Sequence, residues 1–165
     1  RVKYLSNYKN FLNSKNVNYF KEKITFPIKN KIDTDVEKAF SRVDKSGDVV
    51  LKCDIDGGEY KIIDGILEYS SRIKMLIFEF HLVDNNEENF YNSIKKIKDY
   101  FEIIHIHGNN NFSKLDSGLP IILEITLVNK KYTPKNPEYI YNFPIQNLDY
   151  PNNPYKEDLA FSFIV

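Results

Sequence analysis

Hydrophobic and polar residues follow two patterns along the chain, one typical of buried strands and one typical of helices, and together they predict strands separated by helices. Three mostly apolar runs are typical of buried strands: VVLKCDI at 49–55, KMLIFEFH at 74–81 and FEIIHIH at 101–107. Between them, residues 59–70 and 85–101 place apolar side chains three and four positions apart, as on one face of a helix. Strand, helix, strand, helix, strand predicts crossover connections and a parallel sheet covered by helices on both faces.

Three smaller elements are predicted before this region. Residues 1–14 have the spacing of a short amphipathic helix, and residues 17–28 suit a strand or hairpin arm. A further helix is predicted over 33–43, with Asp33 or Thr34 as its N-cap. The strand at 49–55 is so apolar that we expect it to be buried on both faces.

The C-terminal third predicts a fourth strand and then an irregular segment. PIILEITLVN at 120–129 reads as a strand, and because no helix precedes it, we expect it to pair antiparallel with its neighbour. Residues 131–157 hold five of the seven prolines and predict an irregular arm rich in Pro and Asn. Alternating apolar residues over 158–165 predict a last short strand.

Composition narrows the class of protein. A chain of 165 residues suits a single domain, complete or partial, and a formal net charge of zero disfavours a nucleic-acid partner. The single cysteine, Cys53, excludes an internal disulfide and fits a reducing, cytoplasmic setting. No stretch approaches the roughly 20 apolar residues of a membrane-spanning helix.

The three central strands share a polar ending. The pairs are Asp54 with Asp56, Glu79 with His81, and His105 with His107. Residues two apart on a strand face the same side, and ligands of open α/β sheets bind at the carboxyl ends of the strands. We therefore predict one shared crevice, to which three adjacent strands contribute.

The turn after the first of these strands also has a purely structural interpretation, and the sequence leaves both interpretations open. Asp54 and Asp56 are equally suited to capping the next helix. Gly57 and Gly58 provide a tight turn whether or not a ligand lies beside it. Glu59, in the first turn of the helix, gains from the helix dipole in either case.

The polar residues of the other strands likewise allow both a structural and a functional interpretation. Glu79 is flanked by apolar residues, so its burial requires a partner, and His81 is either that partner or a general base. A lone histidine is more often structural, which applies to His105 and His107 individually. Glu124 in the fourth strand is either a buried partner or a residue that faces water.

Several familiar motifs are absent. None of the six glycines forms a phosphate-binding loop, and neither a G-x-S-x-G elbow nor an H-E-x-x-H helix is present. Acyl-enzyme hydrolysis and zincin chemistry are therefore disfavoured. The carboxylates and histidines could hold a hard divalent cation such as Mg²⁺ or Mn²⁺, which stays an alternative, and we assign no metal ligand at this point.

A longer pattern connects these segments: VLKCDIDGGEYKIIDGIL, LIFEFH, HIHGNNN and PIILEITL, followed by LDYPNNP. It resembles the FkbM-type family of S-adenosylmethionine-dependent methyltransferases, in particular those of polysaccharide and glycan gene clusters, over about residues 33–165. Asp56 stands where the family usually has glutamate, and Gly58 stands where it usually has alanine or serine.

The resemblance implies a Rossmann-like class I methyltransferase sheet of seven strands, mostly parallel with an antiparallel last strand. The elements above would form its second half, and the cofactor-binding N-terminal half is expected to be lacking. By position, Asp54 would lie at the methyl-transfer centre. Asp56 and Glu59 would bind the cofactor beside it, and Glu79 and His81 would act from the neighbouring strand end.

The functional hypothesis is an S-adenosylmethionine-dependent O-methyltransferase that acts on a hydroxyl of a sugar, a glycan or a related small molecule. His81 or Asp54 would take the hydroxyl proton, and His105, His107 and Asn109 would bind the acceptor. One alternative is a non-catalytic domain that has lost the cofactor half. The other is a metal-assisted site, with ligands from the following residues: Asp54, Asp56, Glu79 and His81.

Overall fold

The computed structural model describes residues 8–81, 83–136 and 138–163, with the backbone alone for 83–86, and it has an α/β fold around a mixed four-stranded sheet. The strands are β1 Lys23–Ile24, β2 Asp33–Thr34, β3 Val49–Cys53, β4 Ile73–Phe80, β5 Phe101–Gly108, β6 Leu123–Asn129, β7 Asn142–Phe143 and β8 Phe161–Ser162. The helices are α1 (residues 8–12), α2 Val36–Phe40, α3 Glu59–Leu67, α4 Val83–Lys98 and a 3-10 turn, Lys130–Tyr132.

The central sheet has the strand order β3-β4-β6-β5. β3 and β4 pair in parallel, whereas β6 pairs antiparallel with both β4 and β5. The prediction that the fourth strand is antiparallel is therefore confirmed. The prediction that the three polar-ended strands are adjacent is wrong, because β6 returns between β4 and β5. The prediction of a mostly parallel sheet is correct for strand direction, because β3, β4 and β5 run the same way. It is wrong for strand pairing, because one of the three strand pairs in this sheet, β3 with β4, is parallel.

Helices cover one face of this sheet within the described ranges, and not both faces as predicted. On the covered face of β4, three side chains are fully buried: Leu76, Phe78 and Phe80. Phe80 contacts Tyr60 of α3 and meets Phe90 of α4 edge-on, with ring centroids 5.3 Å apart. The alternate residues Met75 and Ile77 are only half-buried. The polar residue at the end of that series, Glu79, therefore lies on the more open face.

β3 forms an edge of the central sheet. Val50 is 63% exposed and Lys52 is also exposed, whereas Cys53 is buried. The expectation that this strand is buried on both faces is wrong. An apolar run identifies a strand here, but the neighbours of the strand decide which of its faces are covered.

The N-terminal elements differ from the predictions in detail. Residues 8–12 are helical, as predicted for 1–14, and the rest of that prediction at 1–7 lies outside the described residues. The segment 17–28 contributes only β1, which pairs in parallel with β2 and does not form a hairpin. Helix α2 begins after Asp35, whose side chain accepts from the Lys38 amide, so neither predicted N-cap residue is correct. Both of those residues lie in β2, where hydrogen bonds to β1 hold them.

The segment 131–157 is an irregular arm, as predicted, in the ranges the structure describes. Its strand β7 pairs antiparallel with β8, so the strand predicted over 158–165 is a strand only at 161–162 among the described residues 158–163. The two-strand ribbon packs on the core through Phe143 and Phe161, whose rings stack with centroids 5.4 Å apart. No helix of the described chain is long and apolar enough to cross a membrane.

Candidate functional site

The turn between β3 and α3 carries the first two polar residues of the candidate site. Asp56 has a φ of 54° and Gly57 a φ of 91°, so two consecutive residues adopt left-handed backbone geometry. The N-cap position of α3 is Gly58, and no side chain caps the helix there. Capping of α3 by Asp54 or Asp56 is therefore the wrong interpretation, and their carboxylates are free for other contacts.

Glu59, the first residue of α3, holds this turn from inside. Its side chain is fully buried, and its Oε1 accepts hydrogen bonds from the backbone N–H groups of Ile55 at 3.0 Å and Gly57 at 3.3 Å. The same oxygen lies 3.1 Å from Nδ1 of His81. The other oxygen, Oε2, is buried and has no hydrogen-bond partner among the described residues. This carboxylate thus joins the turn after β3 to the end of β4.

The ring of His81 has a fixed orientation. Its Nδ1 lies 3.1 Å from Glu59 Oε1 and 3.1 Å from the carbonyl oxygen of Glu79, and both atoms are acceptors. Nδ1 must therefore carry the proton, and in the neutral ring Nε2 has a free lone pair. The backbone is fixed as well, since the hydroxyl of Tyr60 donates to the His81 carbonyl at 3.0 Å.

Three carboxylates surround the Nε2 atom of His81. The Oδ1 atom of Asp54 is 3.8 Å away, Oδ1 of Asp56 is 3.9 Å away and Oε1 of Glu79 is 3.9 Å away. We call these four residues the strand-end cluster. Every Nε2-to-oxygen distance exceeds that of a hydrogen bond, so Nε2 is hydrogen-bonded to none of the three carboxylates.

The carboxylates of the strand-end cluster differ in their electrostatic surroundings. The hydrogen bond from Lys52 to Asp54, with 2.7 Å between Nζ and Oδ2, holds the pKa of that carboxyl below its usual range. Burial raises the pKa of Glu79, against a hydrogen bond from Asn109 that lowers it. Glu79 is consequently the weaker acid of the two.

A polar row continues from this cluster across the sheet. Glu79 of β4 is in register with Glu124 of β6, which is in register with His107 of β5. The sequence left the surroundings of Glu124 open. Glu124 is half-buried, accepts from Asn152 of the arm at 2.8 Å, and lies 3.5 Å from Nδ1 of His107.

His107 is enclosed by acids on both sides. Its Nε2 lies 3.0 Å from Oδ2 of Asp158, the residue directly after the arm, opposite the Glu124 contact. The hydrogen bond to Glu124, followed by that to Asp158, outweighs burial and raises the pKa of His107 to about 9. We call these three residues the histidine clamp. His107 is 6% exposed, so the predicted contact with an acceptor does not fit its position.

His105 also binds the arm. Its Nε2 lies 2.7 Å from Oδ1 of Asp149, whose other oxygen accepts from the Ile145 amide. A surface cleft of about 470 Å³ between β5 and the arm is lined by His105 together with Tyr139 and Tyr141. His105 is therefore not part of the strand-end cluster, but it reaches a cleft of the size that small-molecule ligands occupy.

The asparagines after β5 divide into two roles. Asn109, which the sequence predicts to bind an acceptor, donates to Glu79 at 3.2 Å and so lies beside the strand-end cluster. Asn110 is buried, and its side chain binds the arm at four backbone groups: the N–H and C=O of Asn153 and the C=O groups of Lys156 and Glu157. The structure thus brings Asn109 to the site and uses Asn110 to fasten the arm.

The partners that this part of the chain supplies were not predicted. They are Asp149, Asn152 and Asn153 of the arm and Asp158 directly after it. Three of the four lie in or beside the LDYPNNP segment, whose short polar side chains favour irregular backbone. The sequence feature that indicates such contacts is a run of Asp and Asn in a segment that has no hydrophobic period.

Cys53 ends β3 directly before the cluster. Its thiol is free and buried, and burial raises its pKa to about 12. A thiol of this kind is protonated and poorly nucleophilic at neutral pH. Cys53 is therefore a core residue here.

Comparison with known proteins found no relative of this chain. No protein-family model, no curated protein and no solved structure matches this chain.

Proposed function

We propose that this chain is a domain of an S-adenosylmethionine-dependent O-methyltransferase that acts on a hydroxyl of a sugar, a glycan or a related small molecule. The observation that carries the proposal is the Nε2 atom of His81, surrounded by three carboxylates where two parallel strands end, with Nδ1 held by Glu59 and the Glu79 carbonyl. The finer fold assignment, the second half of a class I methyltransferase sheet, is part of the same proposal. An antiparallel last strand in the central sheet supports it.

The charge of the strand-end cluster fits the proposed cofactor. S-adenosylmethionine carries cationic sulfonium and ammonium groups and supplies an electrophilic methyl group to an acceptor oxygen. In the part of the chain that the structure describes, Lys52 is the one ammonium group paired with the cluster, so negative charge predominates. Asp54 and Asp56, which are accessible, would hold the cofactor, whereas the buried Glu59 would act by fixing the turn and His81.

His81 is the better proton acceptor of the two candidates. Its Nε2 atom faces the three carboxylates of the strand-end cluster, and Glu59 stabilises the imidazolium formed when Nε2 takes the hydroxyl proton. Asp54 has a pKa held low by Lys52, which makes it a weaker base. General-base help of this kind contributes about 10²–10⁴-fold to a rate.

Acceptor binding is assigned to Asn109 at the cluster and to the cleft beside His105. The rings of Tyr139 and Tyr141 stack there, with centroids 6.2 Å apart, and both are about half exposed. Exposed aromatic rings next to an imidazole suit the apolar face and the hydroxyls of a sugar ring. His107 is removed from the acceptor-binding set, since both of its ring nitrogens face acids.

Calorimetric titration with S-adenosylmethionine and transfer of a labelled methyl group to a panel of saccharides test this function. We expect His81→Gln to slow transfer about 100-fold or more while cofactor affinity changes little, because the proton acceptor is lost. Asp48→Asn, an exposed aspartate beside Lys74, is the matched control. Absence of both binding and transfer, in this chain and in the protein expressed from its whole gene, would contradict the proposal.

A further inference from the structure

We propose that the strand-end cluster is a divalent metal site, with His81 Nε2 as its nitrogen ligand and carboxylate oxygens of Asp54, Glu79 and Asp56 as its other ligands. The ion would bind whether or not the domain transfers methyl groups. Because the experiment below contains neither cofactor nor acceptor, failure of ion binding is distinguishable from failure of the proposed function.

The distances within the cluster match a shared ion. One ligand atom from each of Asp54, Glu79 and His81 lies within 4.8 Å of the others. The three Nε2-to-oxygen distances of 3.8–3.9 Å are too long for hydrogen bonds. Bonds of about 2.0–2.2 Å from two such atoms to one ion span this separation.

The orientation of the imidazole is that of a metal ligand. Histidines that bind metals donate their other N–H to a carboxylate or a carbonyl, which fixes the ring and raises the basicity of the coordinating nitrogen. Nδ1 of His81 has both kinds of partner, Glu59 Oε1 and the Glu79 carbonyl. The lone pair of Nε2 consequently points at the carboxylates and not at a donor.

The buried carboxylate of Glu59 is a second observation in favour of a cation at His81. Its side chain contacts Nδ1 of His81 through Oε1, is fully buried, and leaves Oε2 without a hydrogen-bond partner in the described ranges. A buried carboxylate with an unpaired oxygen is unfavourable, and a cation bound to the same imidazole would offset part of that cost. Lys52 offers partial compensation from the outer side only, because it binds Oδ2 of Asp54 and leaves Oδ1 facing His81.

The ligand set favours a hard ion that also accepts imidazole. Carboxylate oxygens suit Mg²⁺, Ca²⁺ and Mn²⁺, and a single nitrogen among them makes Mn²⁺ the best probe. With an ion bound, Nε2 is no longer free to accept a proton. A hydroxyl bound to the ion would instead lose its proton more easily to a neighbouring carboxylate or water.

Electron paramagnetic resonance of Mn²⁺ added to the folded chain, without cofactor or acceptor, tests the site. We expect one bound ion per chain and a nitrogen coupling in pulsed spectra that is lost in His81→Asn. Asp54→Asn should weaken binding at least tenfold, whereas Asp48→Asn, an exposed aspartate with a similar lysine partner, should leave it unchanged. Equal Mn²⁺ affinity in the wild type and in Asp54→Asn, or binding without nitrogen coupling, would overturn the proposal.

Two further variants separate loss of a ligand from loss of folding. The side chain of Asp56 is fully exposed and asparagine tolerates its positive φ, so Asp56→Asn keeps the fold and should still weaken Mn²⁺ binding. Glu59→Gln should reduce affinity about 10–100-fold through His81, as expected for a residue that orients a ligand. Circular dichroism monitors folding, and unchanged affinity in both folded variants would contradict the assignment.

Discussion

The strand-end cluster and the histidine clamp contain the same kinds of side chain in opposite arrangements. In the clamp, both ring nitrogens of His107 face acids, at 3.0 and 3.5 Å, and the imidazole is buried. In the cluster, one nitrogen of His81 is held at 3.1 Å while the other faces three carboxylates across 3.8–3.9 Å. The first arrangement is closed by short contacts on both sides of the ring, whereas in the second Nε2 makes no hydrogen bond to any of the three carboxylates.

The difference shows that polar strand ends with similar side chains are paired within the protein in one place and not in the other. The clamp joins β5 and β6 to the arm, so its charges satisfy one another within the protein. The cluster has excess negative charge, which only a ligand or solvent can balance. The spacing of polar residues along a strand is identical in the two cases, and the contacts distinguish them.

The largest expected effect comes from replacing the two histidines by the same residue. His107→Leu should lower the free energy of unfolding by about 3 kcal/mol, because it leaves two partly buried carboxylates without their cation. His81→Leu should cost only about 1 kcal/mol, since Glu59 keeps two amide donors. Urea unfolding of both variants measures the difference, and equal losses would remove the distinction between the two regions.

The second effect is a decline of stability at alkaline pH that belongs to the clamp. The folded-state pKa of His107 is about 9, above the unfolded value near 6.5, so its contribution is complete below about pH 6.5. The contribution is then lost as the pH rises through 9, by up to about 3 kcal/mol at about 1.4 kcal/mol for each unit of pKa. Unfolding curves between pH 6 and 10 should show this decline in the wild type and not in His107→Leu.

The third effect concerns how the arm is fastened. Asn110→Ala should destabilise the protein by about 2 kcal/mol, because its buried amide binds four backbone groups that would lose their partner. Asn111→Ala, at an exposed neighbour, should change stability by less than about 0.5 kcal/mol. Mn²⁺ affinity should be the same in both variants, and a large change in Asn110→Ala would mean that the arm also shapes the cluster.

The smallest effect sharpens the charge argument at the cluster. Lys52→Gln removes an exposed ion pair, so stability should change by less than about 0.5 kcal/mol. The same variant should raise Mn²⁺ affinity a few-fold, because the oxygens of Asp54 lose their competing cation. Lys74→Gln, whose lysine pairs with Asp48, should have no effect on binding. Weaker binding in Lys52→Gln would contradict the excess of negative charge.

The strands and helices of this region were predictable because each is specified by a hydrophobic pattern among residues close together in the sequence. β4 and β5 begin and end within one residue of the predicted strands, and α3 starts at the predicted residue. The position of β6 between β4 and β5 was not predictable, since strand order depends on pairing between residues far apart in the sequence. The exposed edge at Val50 was missed for the same reason.

The candidate site was predictable in part. The polar endings correctly placed Asp54, Glu79 and His81 in contact range, because β3 and β4 are parallel neighbours. The acceptor-binding prediction for His105 and His107 did not anticipate Asp149 and Asp158. Those partners come from a segment whose path no hydrophobic period specifies, so their contacts appear only once the chain is folded.

Glu59 has a consequence for the dynamics of the site. The amides of Ile55 and Gly57 belong to a surface turn, yet they donate to a carboxylate inside the core. Hydrogen exchange at these amides should therefore be slow, like that of a core strand, since an opening that frees them also releases the imidazole of His81. Their exchange rates would report, residue by residue and without any ligand, how rigidly this protein holds the imidazole of His81.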